Sequence, residues 1–378
     1  MPRGDASDAP TDVGVTDAGD APSDATTLDV LDEPDGIVLE KPLPAISTSS
    51  QGCVVEGDGS VKCWQPEGAA QALTGFGAPV VALALGDVGF ARLGDHSVWA
   101  WGSGTHCVLG TGIVNDNQPI PFRVTMLGMD IVSIATYGAQ ACAARSDGSV
   151  VAWGGGGNGY GKSGDACGPT PVIGLDGPAS AVAQGAESGC ALLVDGTIQC
   201  WGRNDKGQLG NDTTLDAPTA SSPVLGINDA IAVSTSGTHA CALRSNGTVR
   251  CWGDDTFGEL GDGQTNTTSP VPVDVAGLNG AVAQIATAAG TTCARLASGA
   301  VECWGSNGFH MALGNGGSPA TQPSPAILFD TDAAVVSLAQ TISYGCALFA
   351  SGGANCWGDY NGFTDAGTKL PVGIQGLP

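Results

Sequence analysis

The chain has 378 residues, of which 60 are glycine and 13% are charged, with a net charge of −24. That balance opposes binding to a nucleic-acid backbone or an anionic membrane, both of which need clustered Lys and Arg. No apolar run reaches the ~18 residues expected of a membrane-crossing helix.

Residues 1–36 come first and are a different material from the rest. They are mostly Asp, Ala, Pro, Thr, Ser and Gly, and residues 1–40 carry eleven acids and one base. Such a segment cannot bury enough apolar surface to fold, so a disordered acidic tail or linker is expected. Its aspartates lack calcium-loop spacing, and Arg3-Gly4-Asp5 is read as chance. Residues 37–378 are read as one domain.

In that domain, pairs of cysteines stand ten residues apart, the second followed by tryptophan. In chain order they are Cys53 with Cys63, Cys190 with Cys200, Cys241 with Cys251, Cys293 with Cys303, and Cys346 with Cys356. Each pair brackets a turn dipeptide such as Asp58-Gly59, Asp195-Gly196 or Asn246-Gly247. A type I turn closed by a left-handed glycine makes a three-residue hairpin loop. With Gly196 in that slot, Leu193 pairs with Thr197 and Cys190 falls opposite Cys200. Opposed residues on antiparallel strands have Cα atoms ~4.5 or ~5.5 Å apart, within the ~4.4–6.8 Å that a disulfide accepts. Five cross-strand disulfides are therefore expected, and with them an oxidising compartment. Zinc is disfavoured, because no CxxC occurs.

The same frame persists without the cysteine pair. Asp147-Gly148 and Trp153 stand in register, as does Trp101, with His96 in the glycine slot. Seven units result, marked by Trp64, Trp101, Trp153, Trp201, Trp252, Trp304 and Trp357, the last six spaced by 48 to 53 residues. A period near 50 with short strands and no helical periodicity indicates an all-β, seven-bladed β-propeller. The first unit is short, and Pro371–Pro378 resembles Pro171–Leu175, the opening of a full unit. The C-terminus is therefore expected to give the first blade a strand, so that both termini close the ring and leave no free edge at the join. Cys107 and Cys167 lie in the loops of successive units as a possible extra disulfide. Cys142 faces Ala152 and has no local partner.

The phrase Cys190-Ala191-Leu192 through Cys200-Trp201-Gly202, followed by Arg203-Asn204-Asp205-Lys206-Gly207-Gln208-Leu209-Gly210, resembles the regulator of chromosome condensation repeat. The resemblance covers roughly residues 36–378 and is strongest in the units of Trp201 and Trp252. It implies a seven-bladed propeller. The family includes a nuclear exchange factor for a small GTPase and secreted bacterial members, and the cysteines place this chain nearer the latter. The family therefore implies the fold more firmly than the function.

Several motifs are set aside. Gly156–Ser163 matches the phosphate-loop pattern GxxxxGK[ST], but Gly164–Pro169 cannot form the helix which that chemistry needs. His239 is read as a polar residue packed at a blade edge. Asp254, Asp255 and Glu259 are read as loop acids, and the seven tryptophans as repeat core.

The loops after each Trp-Gly remain. They emerge on one face and carry Arg203, Asp205, Lys206, Phe257, Phe309, Tyr360 and Phe363, residue types common among interface anchors. The expected function is a non-catalytic protein-binding propeller, monomeric, without cofactor or metal, and exported or tethered at a cell surface. The segment MPRGDASDAP has no hydrophobic core of a leader. A processed leader, a start upstream and a non-exported protein all remain open. The alternatives are a guanine-nucleotide exchange factor for a small GTPase and a channel-mouth hydrolase or lyase. A pull-down from the native secretome separates the first reading from these.

Overall fold

A computed structural model describes residues 31–32, 38–39, 45–48, 51–65, 68–114, 116–155, 166–308, 313–316, 319–330, 332, 334–341, 344–358 and 370–377. The phosphate-loop-like segment and Phe309, Tyr360 and Phe363 lie outside them. So does most of the acidic tail. Its described part is β1 (Leu31–Asp32), which pairs antiparallel with β2 (Val38–Leu39). The expected domain boundary at residue 36 lies between them in sequence, outside the described residues.

Seven antiparallel sheets follow in chain order. Blade 1 is β3 (Ala45–Thr48), β4 (Gly52–Val55), β5 (Val61–Trp64) and β6 (Gln71–Leu73). Blade 2 is β7 (Val80–Leu85), β8 (Val88–Leu93), β9 (Val98–Gly104) and β10 (Asp116–Arg123). Blade 3 is β11 (Ile131–Tyr137), β12 (Gln140–Arg145), β13 (Val150–Gly154) and β14 (Ala166–Pro171). Blade 4 has β15 (Ala179–Gln184), β16 (Ser188–Leu193) and β17 (Ile198–Gly202). Its outer edge is a broken strand, held by a Gly202–Ala217 bridge and by the N–H groups of Ser221 and Val224 on the carbonyls of Cys200 and Ile198. Blade 5 is β18 (Ala230–Thr235), β19 (His239–Arg244), β20 (Val249–Asp255) and β21 (Thr267–Asp274). Blade 6 is β22 (Val282–Ala288), β23 (Thr291–Leu296), β24 (Val301–Ser306) and β25 (Thr321–Phe329). Blade 7 is β26 (Val335–Gln340), β27 (Tyr344–Phe349), β28 (Ala354–Gly358) and β29 (Val372–Gly373).

The hairpins form in the expected register. Cys190 stands opposite Cys200, and the Leu193 N–H donates to the Thr197 carbonyl at 2.9 Å. Gly196 has φ +82°, which a side chain would disfavour. In blade 2 the same slot is filled by His96 at φ +64°, with its Nδ1 3.2 Å from the Ile131 carbonyl oxygen.

All five hairpin disulfides form. Cys53 bonds to Cys63, Cys190 to Cys200, Cys241 to Cys251, Cys293 to Cys303 and Cys346 to Cys356. Cys63 on β5, Cys251 on β20 and Cys303 on β24 stand opposite Cys53, Cys241 and Cys293. In one respect the pairs differ from expectation. Their Cα atoms are 4.0–4.1 Å apart, closer than the spacing expected from sequence. Hydrogen-bonded and non-hydrogen-bonded pairs alternate along the ladder, and the second kind brings strands nearest. Leu193 and Thr197 form a hydrogen-bonded pair, so Cys190 and Cys200, three steps along, fall in the closer kind. Each bridge closes a short loop, which contributes on the order of 2.5–3 kcal/mol in the chain-entropy model. A sixth disulfide joins Cys107 to Cys167, which sits on the outer strand of blade 3 rather than in a loop. Cys142 is buried and unpaired, opposite Ala152.

The cores lie between blades, not within them. The cluster containing Trp252 combines Leu192, Ile198 and Leu209 of blade 4 with Ala240 and Ala242 of blade 5. Side-chain hydrogen bonds also link neighbouring inner strands. Ser47, Ser133, Ser234 and Ser337 each accept a backbone N–H from the next blade, at 3.1–3.3 Å.

The join also departs from the expected one. The ring closes between blades 7 and 1, where the Ile46 N–H of β3 donates to Ser337 Oγ of β26. The C-terminal strand β29 pairs with β28 of its own blade and not with blade 1. Blade 1 is completed by its own β6 instead. The residues after β29 still cross the join. The Gln375 carbonyl accepts the Ala70 N–H at 2.8 Å, and Ile374 and Leu377 pack in the cluster of Trp64. A strand added to blade 1 would have displaced β6, which no sequence signal marked as a strand.

Candidate functional site

Each blade begins with an inner strand, so the turn after the first strand and the loop after the third share one face. On this face the loops of blades 4 and 5 form a ridge. In blade 4 the buried Asn204 organises the loop. Its Oδ1 accepts the Leu209 N–H at 2.9 Å, and its Nδ2 donates to the Thr213 and Leu215 carbonyls at 2.9 and 3.1 Å. Buried Gln208 accepts the Lys206 N–H at 2.9 Å and donates from Nε2 to the Gly237 carbonyl of blade 5 at 3.0 Å. Gly210, at φ +68°, lies against the Trp252 ring, and the Trp252 indole N–H donates to the Gln208 carbonyl at 2.9 Å.

Blade 5 repeats this construction with acids. Asp255 Oδ1 accepts the Leu260 N–H at 3.0 Å, and Oδ2 accepts the Thr267 hydroxyl at 2.8 Å. Glu259 Oε2 accepts the Phe257 N–H at 2.7 Å, and the Trp304 indole donates to the Glu259 carbonyl at 2.8 Å. Burial pushes both carboxyls above their ordinary range, Glu259 to about 7.

Three of the expected anchors come together. The Arg203 guanidinium grips Asp205 through two bonds, of 2.7 and 2.9 Å, and reaches Glu187 Oε2 at 2.8 Å. Those bonds raise the Arg203 pKa, and Arg203 holds the Asp205 carboxyl below its usual range. Lys206 Nζ stands 3.5 Å from Asp254 Oδ2 and so ties the two loops together. Phe257 follows on the second loop and is 45% exposed. The two loops, with Glu187, thus carry an exposed aromatic residue, two cations and three acids. Glu187 was missed from sequence. It lies in the turn before β16, with φ +62°, and no motif marks it.

His239 does not belong to this surface. It is fully buried, with Nδ1 3.0 Å from Ser236 Oγ and Nε2 2.9 Å from Thr292 Oγ1 of blade 6. Burial lowers its pKa to about 4, so it is a neutral strut between blades. The tryptophans marking the units are all buried, as expected of repeat core.

The inner strands enclose a central channel of about 540 Å³. Its walls are mainly small apolar, hydroxyl and amide residues, including Thr136, Gln184, Thr235, Thr287 and Gln340. Asp87, Tyr137 and Tyr344 are its titratable lining residues, and burial raises Tyr137 to about 12. Among the described residues no group of three or more His, Cys, Asp or Glu is placed to hold a metal ion. No helix among them is long and apolar enough to cross a membrane.

Family models described as the regulator of chromosome condensation (RCC1) repeat match residues 95–144, 179–208, 195–243, 230–259 and 246–295. The human E3 ubiquitin-protein ligase HERC2 is 29% identical over 311 residues, covering 76% of this chain and 6% of that protein. The Arabidopsis thaliana ultraviolet-B receptor UVR8 is 34% identical over 199 residues, 50% of this chain and 44% of the receptor. This chain therefore spans a small part of the first relative and less than half of the second. The crystal structure of Kap60 bound to yeast RCC1 (Prp20) superposes with a TM-score of 0.71 at 18% identity, over 97% of this chain and 91% of that one. The chain carries regulator of chromosome condensation repeats, folded as a seven-bladed β-propeller.

Proposed function

We propose that this propeller is a non-catalytic binding protein, which captures a protein partner on the ridge formed by the loops of blades 4 and 5. The observation that carries this reading is Phe257. It is a large aromatic residue left 45% exposed on a loop whose other apolar residue, Leu260, is buried. Aromatic residues on rigid supports, beside arginine, are common anchors of protein interfaces. The comparisons support the class: yeast RCC1 is solved bound to Kap60, and the same propeller was characterised for binding to Gsp1p and histones. The six disulfides favour an oxidising compartment, so the partner is sought among exported or surface proteins.

The test is capture from the native secretome with the folded chain. Phe257→Ala is expected to weaken capture about thirtyfold, the equivalent of ~2 kcal/mol for a true anchor. Substitutions at Asn246-Gly247, a hairpin turn on the opposite face, are expected to leave capture unchanged. The reverse pattern would move the binding site to the hairpin face.

A further inference from the structure

The loops of blades 4 and 5 correspond residue for residue, Arg203–Gly210 to Asp254–Gly261. Asn204 and Asp255 fill one slot, and each accepts the N–H of the buried leucine that follows. Gln208 and Glu259 fill another, and each accepts an N–H two residues earlier and caps an indole through its carbonyl. One bond differs. Gln208 also donates from its amide to the Gly237 carbonyl, which fastens the loop to the next blade. A carboxylate has no hydrogen to donate; a carboxylic acid has one. Glu259 is only 2% exposed, and its Oε1 faces the turn of blade 6, 3.8 Å from where a Cβ on Gly290 would stand.

We infer that the blade 5 loop is a proton-dependent latch. With Glu259 protonated, the loop fastens to blade 6 as the blade 4 loop fastens to blade 5. With Glu259 ionised, a charge is buried against that turn and this fastening is lost, which leaves the loop held on blade 6 only by the bonds of Trp304 and Thr292 to the Glu259 carbonyl and by the burial of Leu260.

The surroundings favour this behaviour. Asp254 and Asp255 of the same loop add negative charge near Glu259, and burial is the largest influence on it. Lys206, from blade 4, is engaged with Asp254 rather than Glu259. His239, from β19, is held neutral by burial down to about pH 4. Asp262 lies further along the loop and faces Asp255. The facing part of blade 6, Gly290, Thr291, Thr292 and Ser306, carries no charge. The sign follows from the direction of the shift. Glu259 in the fold has its pKa raised to about 7, above the ordinary glutamate value of 4.5. Its stabilising effect is therefore complete at low pH and is lost as pH rises through about 7.

Hydrogen exchange on the full chain tests the latch, with labelling times scaled for the intrinsic pH dependence of exchange. Between about pH 5.5 and about pH 8.5, residues 254–266 are expected to lose protection by up to about thirtyfold, the factor carried by the roughly 1.5 pKa units between about pH 5.5 and the raised pKa of about 7. Residues 203–210 serve as an internal reference and should not change. Glu259→Gln, which installs the blade 4 side chain, should abolish the pH dependence. Equal profiles for the wild type and Glu259→Gln would overturn the proposal. Carbon-detected NMR of the Glu259 carboxyl supplies a second measurement on the unaltered chain, and an apparent pKa in the ordinary glutamate range, about 4–5, would also overturn it. The effect on partner capture rests on the reading of the ridge as the binding face. If the latch opens with pH and capture does not change, that reading fails and the latch stands.

Discussion

Trp304 and Trp101 hold the same place in blades 6 and 2, and their surroundings are finished differently. Above Trp304 the loop of blade 5 folds down, with Leu260 buried and Gly261 against the ring. The indole N–H donates to the Glu259 carbonyl. The same cover lies over Trp153, whose indole donates to the Val108 carbonyl at 2.7 Å, and over Trp252. Blade 1 has no such cover to give. Only residues 65–70 connect β5 to β6, and they contain no Leu-Gly. Trp101 packs edge-on against Phe76 at 5.9 Å between ring centroids, and its buried Nε1 has no hydrogen-bond partner among the described residues. In these seams the tryptophan of one blade is completed by the loop of the blade before it. A shortened loop weakens the seam ahead of it rather than its own sheet.

The largest way to break this comparison is to remove the cover where it exists. Leu260 is 1% exposed in the seam between blades 5 and 6. Leu260→Ala is expected to cost about 2–5 kcal/mol in urea unfolding, as buried leucine truncations do. A cost below ~1 kcal/mol would mean that the loop merely rests on the seam.

A smaller change isolates the indole bond. Trp304→Phe and Trp101→Phe remove the same atoms from equivalent rings, so the loss of ring volume is common to both. Only the first leaves a buried carbonyl, that of Glu259, without the indole donor. That carbonyl retains the Thr292 hydroxyl at 3.1 Å, which limits the penalty. Trp304→Phe is expected to cost about 1 kcal/mol more than Trp101→Phe, the scale of one net hydrogen bond. Equal costs would show that the two seams differ in appearance and not in energy.

The hairpin half of each blade was legible in the sequence because its constraints are local. The ten-residue cysteine spacing, the Asp-Gly or Asn-Gly turn and the following tryptophan all act within one strand pair. They set the register of β16 on β17 and of its counterparts, and the count of seven followed from them. The C-terminal strand was misplaced because Pro371–Pro378 resembles a unit opening, and in this ring the opening of one unit is the outer strand of the blade before. Val372 therefore pairs with Cys356 and not with blade 1. The candidate site was legible in part. Arg203, Asp205 and Lys206 are adjacent in sequence and lie together in space. Their partners Glu187 and Asp254 come from other elements, and no spacing rule links them. The equivalence of Gln208 and Glu259 was visible as a repeat position. Its consequence needed the burial of both and the carbonyl that Gln208 reaches.

The smallest expected effect separates the ridge from the seams. The Arg203 side chain is 48% exposed, and its ion pairs with Asp205 and Glu187 lie in water. Exposed pairs of this kind contribute about 0–1 kcal/mol, because solvent screens them and two side chains must be held still. Arg203→Ala is therefore expected to move the urea midpoint far less than Leu260→Ala does. It leaves Glu187 and Asp205 without their cation, so the ridge becomes more acidic while the fold persists. If the ridge serves binding, the change should appear in capture, and most strongly at low salt, where surface charge acts over the longest range. A stability loss above ~2 kcal/mol would instead make Arg203 a strut of the blade 4 loop. The contrast between buried seams that hold the ring and an exposed ridge free to bind would then fail at the residue chosen to represent it.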